Sequence, residues 1–154
     1  MKWIFQVSTE NISEYFLLSA EGEKCSFKYS RLQQSIRIKY QDQRAVFLLD
    51  KNSFSTRKSF VRNVYGSEIG TIVKSLLNDQ AGTITMLDAA SKFHYKILTR
   101  ENAVLLSNGG FSALCQVDEN DAKAHEEFYM LAVIVLSWMY TLPAPVKSKR
   151  VARY

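Results

Sequence analysis

The feature that most constrains this chain is an uncharged run near its end, from Phe128 to Val146. A helix that crosses a bilayer needs about 20 mostly apolar residues. Pro143 breaks a helix, so the usable stretch is 128–142, which would extend only about 22 Å as a helix. The run therefore favours a helix that is buried on every side, with a membrane tail anchor as the alternative.

The residues before this run predict where the helix begins. Asp118, Asn120 and Asp121 are good capping residues, and acidic side chains suit the start of a helix. The segment from Ala122 to Leu142 contains neither Gly nor Pro, so we predict one helix over about 122–142 that ends at Leu142 or Thr141. Its polar residues Ser137 and Thr141 can each return a hydrogen bond to the helix backbone.

The first 117 residues consist of short apolar runs separated by polar turns. Some runs alternate strictly, as in "SIRIKY" (35–40), which is the pattern of a half-buried strand. We count about ten to twelve such runs, with no long helical pattern between them, and this spacing is typical of a sandwich or barrel. Closing such a series into a barrel removes its exposed edges and leaves room inside for one helix.

The charge pattern separates a body from a tail. The net charge is +5, but residues 1–146 carry 16 basic and 15 acidic side chains, so the body is nearly neutral. A nearly neutral body argues against a nucleic-acid-binding protein. We predict a single domain over 1–146 and a basic flexible tail over 147–154, whose cations are Lys147, Lys149, Arg150 and Arg153.

Residues typical of catalytic or metal sites are few and scattered. His94 and His125 lack the spacing of a zinc motif, and we interpret both as structural or solvated. Cys25 and Cys115 are far apart and outside any CxxC motif. We predict two buried thiols, with a disulfide or metal role as the alternative. These patterns predict no enzyme, no metal and no cofactor.

Three local motifs resemble one family when they are taken in order. They are "FVRNVYGSEIGTI" (60–72), "ITMLDAASKFHYKI" (84–97) and the acidic turn and apolar helix "DENDAKAHEEFYMLAVIVLSWMY" (118–140). This order resembles the tubby C-terminal domain and its phospholipid-scramblase-like and LURP-one-like relatives, although Asn63 replaces their usual Asp. The resemblance implies a closed antiparallel barrel of about 12 strands around a buried hydrophobic C-terminal helix.

The resemblance also implies a function in which the protein binds a partner without catalysis. Members of the family associate with membranes and bind phosphoinositides, so the expected partners are anionic phospholipid or phosphoinositide headgroups, or a protein partner. The expected location is cytoplasmic and peripheral at the membrane, because the N-terminus has no sustained apolar signal. The alternative is a tail-anchored protein with a cytosolic β domain.

No lipid-binding motif of the family transfers to this sequence residue by residue. The candidates come instead from local clusters of positive charge, although such clusters on strands are more often simply solvated. The candidate lipid-binding residues are Arg57, Lys58 and Arg62 in the body and Lys147, Lys149, Arg150 and Arg153 in the tail.

Overall fold

A computed structural model describes residues 2–8, 11–18, 22, 24–50, 56–86, 91–117 and 126–142. Within them lie eleven strands, a short 3-10 helix and one α-helix. The strands are β1 (Lys2–Ser8), β2 (Ile12–Leu18), β3 (Lys24–Ser30), β4 (Ser35–Tyr40), β5 (Gln43–Leu49), β6 (Lys58–Arg62), β7 (Glu68–Lys74), β8 (Ala81–Met86), β9 (Lys92–Leu98), β10 (Ala103–Asn108) and β11 (Phe111–Val117). The 3-10 helix is Thr99–Glu101, and the α-helix is α1 (Glu126–Thr141).

The strands form one sheet in which each strand pairs with the next along the chain. All of these sequential pairings, from β1–β2 to β10–β11, are antiparallel. The first strand also pairs with the last: β1 runs parallel to β11 through the pairs Lys2–Gln116 and Trp3–Val117. The predicted mainly-β protein with one α-helix is therefore confirmed.

Alternation along the strands gives the sheet an apolar inner face. In β9, Phe93, Tyr95 and Ile97 are buried, whereas the residues between them are exposed. In β3, Cys25, Phe27 and Tyr29 are buried in the same way, as their alternating pattern predicts. The inner face packs on α1, so sheet and helix share one hydrophobic core.

The helix α1 is the centre of that core. Every residue from Phe128 to Trp138 is at most 5% exposed, and these eleven residues cover about three full turns. The ring of Phe128 lies 4.7 Å from that of Tyr15 on β2, and the ring of Trp138 lies 6.3 Å from that of Phe47 on β5. Protein therefore covers every face of this part of the helix.

The end of α1 agrees with the sequence, and its start is only partly described. The helix ends at Thr141, as predicted. Ser137 Oγ donates to the carbonyl of Val133 at 2.7 Å, and Thr141 Oγ1 donates to that of Trp138 at 2.6 Å, which confirms both predicted backbone hydrogen bonds.

The predicted start at Ala122, the capping residues and the basic tail lie outside the described residues. Within the described ranges, no helix is both long and apolar enough to cross a bilayer.

The turn between β6 and β7 explains part of the motif over 60–72. The side-chain oxygen of Asn63 accepts hydrogen bonds from the backbone of Tyr65 and Ser67, each at 3.0 Å. Gly66 has φ +81°, a conformation that favours glycine. Gly70 has no room for a side chain, because a Cβ there would lie 2.6 Å from Met86 Sδ. Each of these motif residues therefore has a local structural role.

The direction of α1 defines two ends of the sheet. Tyr129, near the helix start, donates from its hydroxyl to Asn102 Oδ1 at 3.4 Å, in the turn between β9 and β10. Tyr140, near the helix end, has its ring 4.5 Å from that of Phe111, at the start of β11. We call these the upper and the lower end. The turn over 75–80, between β7 and β8, belongs to the upper end, and the turn over 63–67 belongs to the lower end.

Candidate functional site

The three candidate cations of the body do not form one cluster. Lys58 and Arg62 project from the outer face of β6, on either side of Phe60. Their charged groups lie 5.4 Å and 5.7 Å from the centre of the Phe60 ring. Arg57 precedes the strand at the upper end, and its Nε donates to the carbonyl of Lys74 at 3.4 Å. The structure therefore separates Arg57 from Arg62.

Arg62 is largely engaged with its own protein. Its Nε lies 3.1 Å from Asp50 Oδ1 in an ion pair, and a second guanidinium nitrogen donates to the carbonyl of Gly66 at 3.4 Å. The hydrogen bond and the charge of Asp50 raise the pKa of Arg62 above its ordinary value. An anionic ligand would have to compete with this carboxylate, so Arg62 is the weakest of the three candidates.

Two clefts meet beside Arg57 at the upper end. The inner cleft, of about 450 Å³, reaches the start of α1 at Tyr129 and Met130. The outer cleft, of about 720 Å³, lies against β8, β9 and β10 and includes His94 and Lys96. The two clefts share four lining residues, which are Arg57, Lys74, Ser75 and Leu76. This upper-end site thus combines cations with an apolar wall.

The apolar wall consists of Leu76 and Leu77, and it is unusual because these side chains face solvent. Leu76 is 75% exposed and Leu77 is 97% exposed, side by side in the turn over 75–80. Single exposed apolar residues are common on proteins, but adjacent ones beside a cleft are typical of a binding surface.

Hydrogen bonds hold this turn in shape. The backbone of Ser75 donates to the carbonyl of Ala81 at 2.8 Å, and that of Ala81 donates to the carbonyl of Asn78 at 3.1 Å. The side chain of Asn78 accepts from the backbone of Gln80 at 3.0 Å, and Ser75 Oγ accepts from that of Leu77 at 3.3 Å. The turn is therefore defined by its own bonds, and the exposure of the two leucines is a consequence of its structure.

Sequence reasoning missed Lys74, Leu76, Leu77 and Lys96. The stretch "TIVKSLL" (71–77) reads as one apolar strand, which would place at least one leucine inside the protein. The available signal was Ser75 together with Asn78 and Asp79, since these residue types favour turns.

The other candidate reactive groups are buried thiols and scattered histidines. Cys25 and Cys115 are free and buried, so the prediction of two buried thiols is confirmed. His94 is exposed on β9, and His125 lies outside the described residues. Where the structure describes the chain, no three His, Cys, Asp or Glu side chains come together as metal ligands.

Comparison with known proteins adds no relative. No protein family, no curated protein and no solved structure matches this chain. The resemblance to the tubby C-terminal domain therefore stays a prediction that depends on the order of the three motifs.

Proposed function

We propose that the sheet closes into a barrel around α1, as in the tubby-like fold. Two observations support this arrangement. The first strand pairs with both β2 and β11, and residues Phe128 to Trp138 of α1 are buried on every face. A closed barrel would leave no sheet edge for unwanted pairing. The helix would also fill the interior, so such a barrel would have no space for a small molecule inside it.

We infer that the protein is a non-catalytic binding module of the cytoplasm that attaches reversibly to anionic membrane lipid through its upper-end site. The observation that carries this proposal is the exposed pair Leu76 and Leu77 next to Arg57 and Lys74. Apolar side chains that enter the membrane interface and cations that attract acidic headgroups act together in peripheral membrane binding.

The magnitudes suit reversible attachment. Fully burying a leucine side chain gives about 1.5–3 kcal/mol, and each cation near an anionic membrane gives about 1 kcal/mol. Two leucines and two or three cations thus supply several kcal/mol, before the repulsion of Asp79 in the same turn and the cost of losing free motion. Phospholipid or phosphoinositide headgroups would face Arg57, Lys74 and Lys96 in the outer cleft.

The tail-anchor alternative requires α1 to leave the sheet. The residues that an anchor needs, Phe128 to Trp138, are the same residues that pack against the strands. Extracting them would expose the inner face of the sheet, so a peripheral attachment is favoured. The other expected partner is a protein, which would compete with lipid if it bound at the upper-end site.

Co-sedimentation with vesicles tests the proposed function. The full-length protein is expected to pellet with vesicles that contain about 20% phosphatidylserine and not with neutral ones, and the effect should fade above physiological salt. The double variant Leu76→Ser/Leu77→Ser is expected to lose at least about tenfold in vesicle affinity, because two inserted side chains are removed.

A matched variant at the lower end controls for a general loss of surface hydrophobicity. Val64 and Tyr65 are also exposed and adjacent, in the turn over 63–67, and Val64→Ser/Tyr65→Ser should pellet like the unmodified protein. A 1–146 protein measures the share of the basic tail. Equal pelleting of the two double variants, or no pelleting of the full chain, would refute attachment through Leu76 and Leu77.

A further inference from the structure

A second surface with a strong charge lies on the outer face of β3, β4 and β5. Its four cations are all exposed, and we call them the basic face: Lys28, Arg37, Lys39 and Arg44. None of them was among the candidates from the sequence. They are close in space because Lys28 pairs with Arg37 across β3 and β4, and Lys39 pairs with Arg44 across β4 and β5.

Both pairings place like charges directly opposite each other. Side chains at directly opposed positions have Cβ atoms about 4.5–5.5 Å apart, and like charges at such positions destabilise a sheet. The three strands contain no Asp or Glu that could offset this repulsion. Nearby described acids are Glu14, 4.0 Å from Lys28, and Asp42 in the turn after β4. The basic face is therefore positive after both acids are counted.

Apolar side chains flank these cations on the same outer face. Phe16 is paired with Ser26 on one side, and Val46 is paired with Arg37 on the other. Both are half-buried, and they leave apolar surface within reach of a ligand bound to the cations. Guanidinium groups beside partly exposed apolar residues are typical of surfaces that bind proteins.

We propose that the basic face binds a short acidic segment of a partner protein. Across the strands, the cations extend over two strand spacings, about 10 Å, and along the strands they extend over two residues, about 7 Å. An area of this size accommodates a few carboxylates. This area is too small for the long row of phosphates that nucleic acid presents. The face lies on the outer side of β3–β5, whereas the upper-end site is built from Arg57 and residues of β7–β10 and the turn over 75–80, so the two surfaces share no residue.

The test uses a labelled acidic peptide and a charge-reversal variant. Fluorescence anisotropy would follow binding of a fluorescein-labelled peptide of about ten residues, alternating Glu and Leu, at about 50 mM salt. The full-length protein is expected to bind it, and Arg37→Glu/Lys39→Glu should weaken binding at least about tenfold. Lys92→Glu/Arg100→Glu makes the same change of charge at exposed positions elsewhere and should bind as tightly as the unmodified protein.

Folding and vesicle binding are controlled separately. Arg37→Glu/Lys39→Glu converts both like-charge pairs into opposite-charge pairs, so its Tm should not fall, and lost binding cannot then be due to unfolding. Its pelleting with anionic vesicles should also be unchanged, so this proposal and the proposed lipid function can fail independently. The proposal is overturned if the full-length protein does not bind the peptide, if both charge variants bind equally, or if Arg37→Glu/Lys39→Glu loses vesicles but keeps the peptide.

Discussion

At the scale of single residues, burial changes the chemistry of the two thiols. Cys25 on β3 and Cys115 on β11 face the core and are at most 1% exposed. Burial disfavours the thiolate, so it raises the pKa of Cys25 to about 12 and raises that of Cys115 as well. Burial of the protonated thiols therefore makes a pH-dependent contribution to the free energy of unfolding. This contribution is complete below the unfolded pKa of about 8.5 and is lost as the pH rises through the folded pKa.

The native thiols should therefore react slowly. At about pH 8, a rise of the Cys25 pKa to about 12 lowers its thiolate fraction on the order of a thousandfold. We expect the native protein to react with a chromogenic disulfide reagent at least that much more slowly than the protein unfolded in denaturant. Ser26→Cys provides the comparison, because position 26 lies on the outer face of β3 and should react readily. Equal rates for native and unfolded protein would contradict the buried environment.

Whether a side chain faces the core could be predicted from alternation along its strand, but contacts between residues that are distant in the sequence could not. The inward positions of Cys25, Phe27 and Tyr29 follow from a period of two along the strand. The ion pair between Arg62 and Asp50 does not, because it depends on which strands become neighbours. The same is true of Lys28 and Arg37, whose proximity results from the register between β3 and β4.

At the scale of elements, α1 contributes a continuous run of buried residues, Phe128 to Trp138, to the core that the structure describes. A helix that is apolar on all sides needs neighbours on all sides, and the inner face of the sheet supplies them. Its existence, its apolar character and its end at Thr141 could be predicted from the sequence. The parallel pairing of β1 with β11 could not, since hydrophobic patterns indicate strands but not their partners.

Substitutions of leucine should show this difference directly. Leu136 in α1 is 0% exposed, and Leu136→Ala should lower the free energy of unfolding by about 2–5 kcal/mol, through lost burial and the cavity left behind. Leu77→Ala makes the same chemical change at a residue that is 97% exposed, and it should alter stability by no more than about 0.5 kcal/mol. Urea unfolding measures both. Similar losses for the two variants would mean that α1 is not the core.

At the scale of the whole molecule, three surfaces differ in composition. The inner face of the sheet holds α1, the upper-end site presents Leu76 and Leu77 beside cations, and the basic face presents four cations on β3–β5. Because the upper-end site and the basic face lie on different strands, the two proposed binding functions depend on different residues.

The most direct test of this account is hydrogen exchange of the full-length protein, measured by mass spectrometry with and without anionic vesicles. We predict that the amides of residues 131–138 exchange slowest in buffer and do not change when vesicles are added, because strands already surround them. The amides of residues 75–80 should gain protection from the vesicles. The account is contradicted if residues 131–138 exchange rapidly in buffer and become protected only with vesicles, since lipid and not the sheet would then be their environment.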